Sequence, residues 1–70
     1  MKVSKEKIEC RMVNVGLTPP ELAAVTGISQ EGIARIKARG SCRISNAIKL
    51  CNALNCTIEE ISPEESEAKT

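Results

Sequence analysis

Three glycines, Gly16, Gly27 and Gly40, cut the first part of this chain into brief segments, and each segment opens with a residue suited to cap a helix. Short helices with tight joints are the fold that such punctuation permits. The middle segment is the most sharply marked. Thr18 stands three residues before Glu21, the spacing of a reciprocal capping box. Pro19 falls at the first helical position, where its missing N–H costs nothing. Gly27 closes the segment by accepting a positive φ, so the helix between Leu17 and Gly27 has only about two turns.

The flanking segments follow the same logic. Ser4 caps a first helix reaching about Asn14, with Ile8, Met12 and Val15 recurring on one side before Gly16 ends it. Ser29 caps a third, with Ile33 and Ile36 facing inward and Gly40 at its end. The polar loop Arg39-Gly40-Ser41-Cys42-Arg43 leads to a fourth helix, expected to be capped by Ser45 and to run through Leu54. Ile48, Leu50 (or Cys51) and Leu54 form its expected apolar side. A fifth, short helix starts at Thr57, where Glu60 completes another capping box, and stops before Pro63. No strand pattern or internal repeat appears. The expectation is an all-α, compact five-helix domain over residues 1–62, followed by a disordered acidic tail over 63–70.

Composition limits what this bundle can do. The chain has 70 residues and no Phe, Trp or Tyr, so aliphatic residues and cysteine must fill a thin core. Missing rings also remove the stacking platforms that single-stranded nucleic acids require. There is no His and no Asp. None of Cys10, Cys42, Cys51 and Cys56 has an evident base partner, so no catalytic residue is expected and the chain is not read as an enzyme. The cysteines are widely spaced, without Cys-x-x-Cys, so neither a metal site nor another cofactor is expected. Cys51 and Cys56 read as small core residues. The opening residues lack the apolar run of an export signal, and no stretch could span a membrane. A cytoplasmic location and reduced thiols are the corresponding expectation.

Charge is distributed unevenly. Residues 1–62 hold nine basic and six acidic side chains, whereas the remainder holds three acidic and one basic. Arg35, Lys37, Arg39 and Arg43 concentrate the positive charge where the third helix enters the following loop, a pattern suited to a small phosphate footprint. Lys2, Lys5, Lys7 and Lys49 read as solvated surface.

The pair of helices around Gly27-Ile28-Ser29 carries the strongest functional signal. Two helices joined so tightly must cross steeply. Ala23 is small enough for close approach, and Leu22, Ile28, Ile33 and Ile36 lock the angle. A bihelical unit of this kind is expected to be able to place its second helix in the DNA major groove.

From Leu17 to Ile61 the chain resembles the Cro and repressor-type helix-turn-helix domains of lambdoid phages, the xenobiotic-response-element class. The resemblance rests on Leu17-Thr18, Glu21-Leu22-Ala23, Gly27-Ile28-Ser29, Ile33, Ile36 and Ala53-Leu54-Asn55-Cys56 leading to Ile61. It implies a lambda-repressor-like fold whose third helix reads bases with Ser29, Gln30, Glu31, Gly32 and Arg35. Their chemistry suits that role, since Gln30 can pair with adenine, Arg35 with guanine, and Glu31 can accept from cytosine. Glu31 and Arg35 could equally form an i,i+4 ion pair on a solvated face. The resemblance further implies backbone contacts from Thr18, Arg39, Ser41, Arg43, Ser45 and Asn46. The implied partner is a double-stranded operator, bound by a repressor acting as a homodimer, with no membrane or small-molecule substrate. Three departures accompany it. Pro19 replaces a glutamine frequent in the family, Arg39 stands where many members have glycine, and Asn46 and Glu60 occupy positions that are apolar or aromatic in related dimer interfaces. The alternative is a protein-interaction module of the same fold, antitoxin-like or an antirepressor partner.

Overall fold

A computed structural model of the protein describes residues 1–63; the expected acidic tail lies outside the described residues except for Pro63. Five helices follow in order: α1 Lys5–Val15, α2 Pro19–Thr26, α3 Gln30–Arg39, α4 Ile44–Leu54 and α5 Ile58–Ile61. The expected all-α, five-helix fold is thus present, and each boundary has a local chemical cause. The Ser4 hydroxyl accepts from the Lys7 N–H at 3.3 Å, and Ser29 does the same for Gly32 at 3.0 Å. Gly27 and Gly40 take left-handed φ values of 76° and 71°, which a Cβ would oppose.

The core lies between the helices rather than within any one of them. Ile8, Leu22, Ile33, Leu50, Leu54 and Ile61 are its largest fully buried side chains. Helix α2 packs on α3 and α4, while α1 packs on α3, α4 and α5. Two cations help to close the assembly, and one of them, Lys7, was expected at the surface. Lys7 is half-buried and donates through Nζ to the Ser62 carbonyl at 2.8 Å. Arg11 donates to the Leu54 and Asn55 carbonyls, both at 3.1 Å. It thereby satisfies acceptors that the end of α4 leaves open.

Helix α4 departs from expectation twice. It begins at Ile44 with Arg43 as its N-cap, so Ser45 lies inside the first turn and caps nothing. The reason is long-range. Met1 and Val3 hydrogen-bond Cys42 and Gly40, pairing Lys2 antiparallel with Ser41. That bridge holds residues 40–42 extended and lets the helix start immediately afterwards. The inward side is also rotated. Ala47, Leu50, Cys51 and Leu54 are buried, whereas Ile48 is 47% exposed. One residue corresponds to about 100° around a helix, so burying Ala47 turns Ile48 outward.

The four cysteines are free thiols. Cys51 is buried as expected, and Cys56 packs partly against the core. Burial, followed by the neighbouring Cys56, pushes the Cys51 thiol up to about 11, which keeps it protonated and apolar in character.

Candidate nucleic-acid interface

The turn between α2 and α3 is locked by more than Ala23 and Gly27. The Gly27 N–H donates to the Ala23 carbonyl at 2.9 Å. Thr26 is buried, and its hydroxyl donates to the Leu22 carbonyl at 2.8 Å while accepting from the Ile28 N–H at 3.2 Å. One side chain therefore staples the last turn of α2 to the first residue after the joint. Sequence reasoning passed over Thr26. Its position directly before the helix-ending glycine is the signal that could have marked it, because threonine in a last turn readily bonds back to a carbonyl.

Helix α3 presents a continuous outer face. Gln30, Glu31, Ala34, Arg35, Ala38 and Arg39 are all exposed. They form two adjacent rows at four-residue spacing, while Ile33 and Ile36 are buried on the opposite side. Ala34 and Ala38 were not among the expected site residues. Their small side chains keep the middle of this face low, so another surface can approach the helix backbone closely. Glu31 and Arg35 form no ion pair, although their spacing allows one; the described interhelical pair is Lys37 with Glu9 at 3.4 Å.

The remaining expected base-reading residues differ in character. Ser29 is exposed, and its hydroxyl oxygen serves the α3 cap. Gly32 is half-buried beneath the turn. A Cβ there would lie 3.0 Å from Ile28 Cγ2 and 3.2 Å from Ser29 Oγ, so close packing of the joint already accounts for glycine at this position.

Arg35 and Arg39 extend from α3 towards the start of α4, where they border an open cleft of about 290 Å³ with Arg43, Ser41 and Asn46. None of the three arginines has a hydrogen-bond or ion-pair partner among the described residues. At the mouth of this cleft, α4 begins without a side-chain cap. The first N–H of α4 with an acceptor among the described residues belongs to Ala47, which donates to the Arg43 carbonyl at 2.9 Å. The N–H groups of Ile44, Ser45 and Asn46 have no acceptor among these residues and remain open. N–H groups without an acceptor, at the positive end of a helix dipole and beside an arginine, are chemically suited to receive an anion.

The start of α2 is built otherwise. Pro19 and Pro20 have no N–H to offer. The Glu21 N–H donates to Thr18 Oγ1 at 3.4 Å, and the Thr18 N–H donates to Glu21 Oε1 at 2.9 Å. The Thr18 hydroxyl donates to the same oxygen at 3.1 Å. The N–H and the hydroxyl that Thr18 could present are both engaged, and a carboxylate occupies the spot.

Among the described residues no helix is long and apolar enough to cross a membrane, and no group of three or more potential ligands is placed to hold a metal ion. Neither the curated proteins nor the solved structures contain a match to the chain. A family model described as the Cro/C1-type HTH DNA-binding domain matches residues 7–62, a span from the first turn of α1 to the residue after α5. The chain belongs to that family of double-stranded DNA-binding regulators.

Proposed function

We propose that the protein is a repressor of phage or mobile-element type that occupies an operator, with α3 lying in the major groove. The observation that carries this reading is the exposed face of α3 running into three arginines that have no partner among the described residues, beside the uncapped start of α4. A groove-reading helix needs phosphate anchors at its edge to set its register, and this arrangement supplies them.

In this reading Gln30, Glu31 and Arg35 contact base edges. Ser29 borders them, and Gly32 lets the joint pack closely beside them. A bidentate contact from Gln30 to adenine or Arg35 to guanine contributes about 1–3 kcal/mol of discrimination. Glu31 is tolerated only opposite a donor such as the cytosine amino group, since phosphates repel it. Arg39, Ser41, Arg43, Ser45 and Asn46 hold the backbone. Thr18 is assigned to helix capping, because its hydroxyl and N–H are both occupied by Glu21. One small domain covers too little of the groove for high specificity, so two copies on a two-fold operator complete the proposal.

The test is a binding titration on duplex DNA from the region upstream of the gene, repeated at several salt concentrations. Affinity should drop steeply between about 50 and 200 mM salt, and the complex should have the mass of two chains on one duplex. Salt-independent binding, or no binding to any duplex, would refute the assignment; one chain per operator would refute its two-fold part.

A further inference from the structure

Val3, ahead of α1, is only 3% exposed and belongs to the core cluster. Its backbone is tied in two directions. The Val3 N–H donates to the Gly40 carbonyl and the Cys42 N–H to the Met1 carbonyl, both at 2.9 Å. One residue later, the Ser4 N–H donates to the Ile61 carbonyl at 2.7 Å. Residues 1–4 therefore connect the end of α5 to the loop between α3 and α4.

Within the loop itself the Gly40 N–H donates to the Ile36 carbonyl at 2.8 Å and Cys42 packs partly against the core. Gly40 is left-handed, Ser41 is exposed, and Arg43 caps α4 without a side-chain bond. Yet the loop carries Arg39 at one end and Arg43 at the other. A glycine-containing connection between two helices samples many conformations unless tertiary contacts restrict it. Here residues 1–3 add two backbone bonds to that restriction.

We propose that Val3, with its backbone pairing to Gly40 and the adjacent Met1–Cys42 bond, is a positioning residue for DNA binding. It clamps the α3–α4 loop so that Arg39, Arg43 and the open N–H groups of α4 meet the phosphates together. The inference rests on the DNA reading above. Val3 itself touches no DNA, and base preference stays with α3.

Val3→Pro removes the N–H given to Gly40 while keeping the residue extended; Val3→Ile keeps the N–H and serves as the conservative control. Amide hydrogen exchange at Cys42 should rise by about tenfold or more in the proline variant, because its bond to Met1 loses its neighbour. Affinity for non-specific duplex, measured well below the melting temperature, should fall by about five- to tenfold, with a shallower salt dependence. Ratios between preferred and other sequences should persist, and Val3→Ile should behave as wild type. Should Val3→Pro fail to fold, Val3→Ala retains the N–H and loosens the buried anchor, with an expected loss of about two- to threefold at unchanged sequence ratios.

A merely structural Val3 would lower the melting temperature and leave the affinity of the folded chain unchanged; that result overturns the clamp. Unchanged exchange at Cys42 overturns it as well, whatever the DNA result. Wild-type protein that binds no duplex refutes the parent reading instead, and the positioning role of Val3 falls with it; faster exchange in the proline variant would then show only that residues 1–3 order the loop.

Discussion

Helices α2 and α4 start on opposite principles. At α2 two prolines withhold their N–H groups, while Thr18 and Glu21 satisfy each other and what remains. At α4 the N-cap is an arginine whose side chain caps nothing, and three N–H groups have no acceptor among the described residues. The first arrangement is closed and acidic; the second is open and basic. A capped end stabilises its helix by itself, whereas an open end has unused capacity to bind and relies on other parts of the molecule for its order. In the proposed reading, stability and anchoring are thus divided between different helix ends, and α4 is the end to test for anchoring.

Reversing the charge at the open end challenges this contrast most severely. Arg43→Glu should reduce DNA affinity by about 10- to 100-fold at moderate salt and flatten the salt dependence by about one charge. The melting temperature should change little, because Arg43 is exposed and unpaired. An unchanged affinity in a titration against duplex would mean that the α4 end is not an anchor.

Next in size is the separation of anchoring from reading. Arg35→Ala should erase preference for one base pair, about 1–3 kcal/mol, with only a modest loss on non-specific DNA. Selection from a randomised duplex pool checks this. A uniform loss on all sequences would move Arg35 from the reading face to the phosphate set that it adjoins in the cleft.

The closed end should give the converse result. Thr18→Ala removes the cap and should destabilise the fold by about 1 kcal/mol in denaturant unfolding. Affinity of the folded fraction for DNA should remain within about twofold, since the polar groups of Thr18 are already engaged by Glu21 and have none to spare for a phosphate. A large loss of affinity at preserved stability would show that α2 is an anchor after all.

The smallest effect concerns acid. Helix α5 repeats the closed design: Thr57 donates its N–H to Glu60 Oε2 at 2.9 Å. That bond holds the Glu60 carboxyl below its usual 4.5, aided by Arg11. A depressed carboxyl contributes stability above its unfolded-state value and loses it as pH falls through the folded one. The melting temperature should therefore decline slightly below about pH 4.5, and Glu60→Gln should remove that part of the decline. No such contribution is expected from the cap of α4, which contains no carboxylate.

Much of this was legible in the residues, and the failures are as instructive as the successes. Thr18, Glu21, Ser29 and Gly27 announce their roles because a cap is made within three or four positions of the residue it serves. Ile33 and Ile36 were readable for the same reason, as helical period alone sets their side. Helix α4 was harder. Ile48 is the larger apolar residue, but Ala47 is buried, a preference that only the packing of α4 against its neighbours reveals. Ser45 is a good cap by type, yet the pairing of Lys2 with Ser41 sets the start of the helix earlier. The outer face of α3 was read through its polar residues, and exposed Ala34 and Ala38 went unremarked because alanine is equally at home inside.

The order of residues was enough to dictate five helices, their closely spaced joints and the turn that aims α3, because capping, proline and glycine act through bonds between near neighbours. Which polar groups stay unused was settled only when distant segments came together. Whether an arginine, a lysine or a loop carbonyl is available depends on partners far along the chain: Lys7 is taken by Ser62, Arg11 by Leu54 and Asn55, and Gly40 by Val3. Among the described residues Arg35, Arg39 and Arg43 have no such partner.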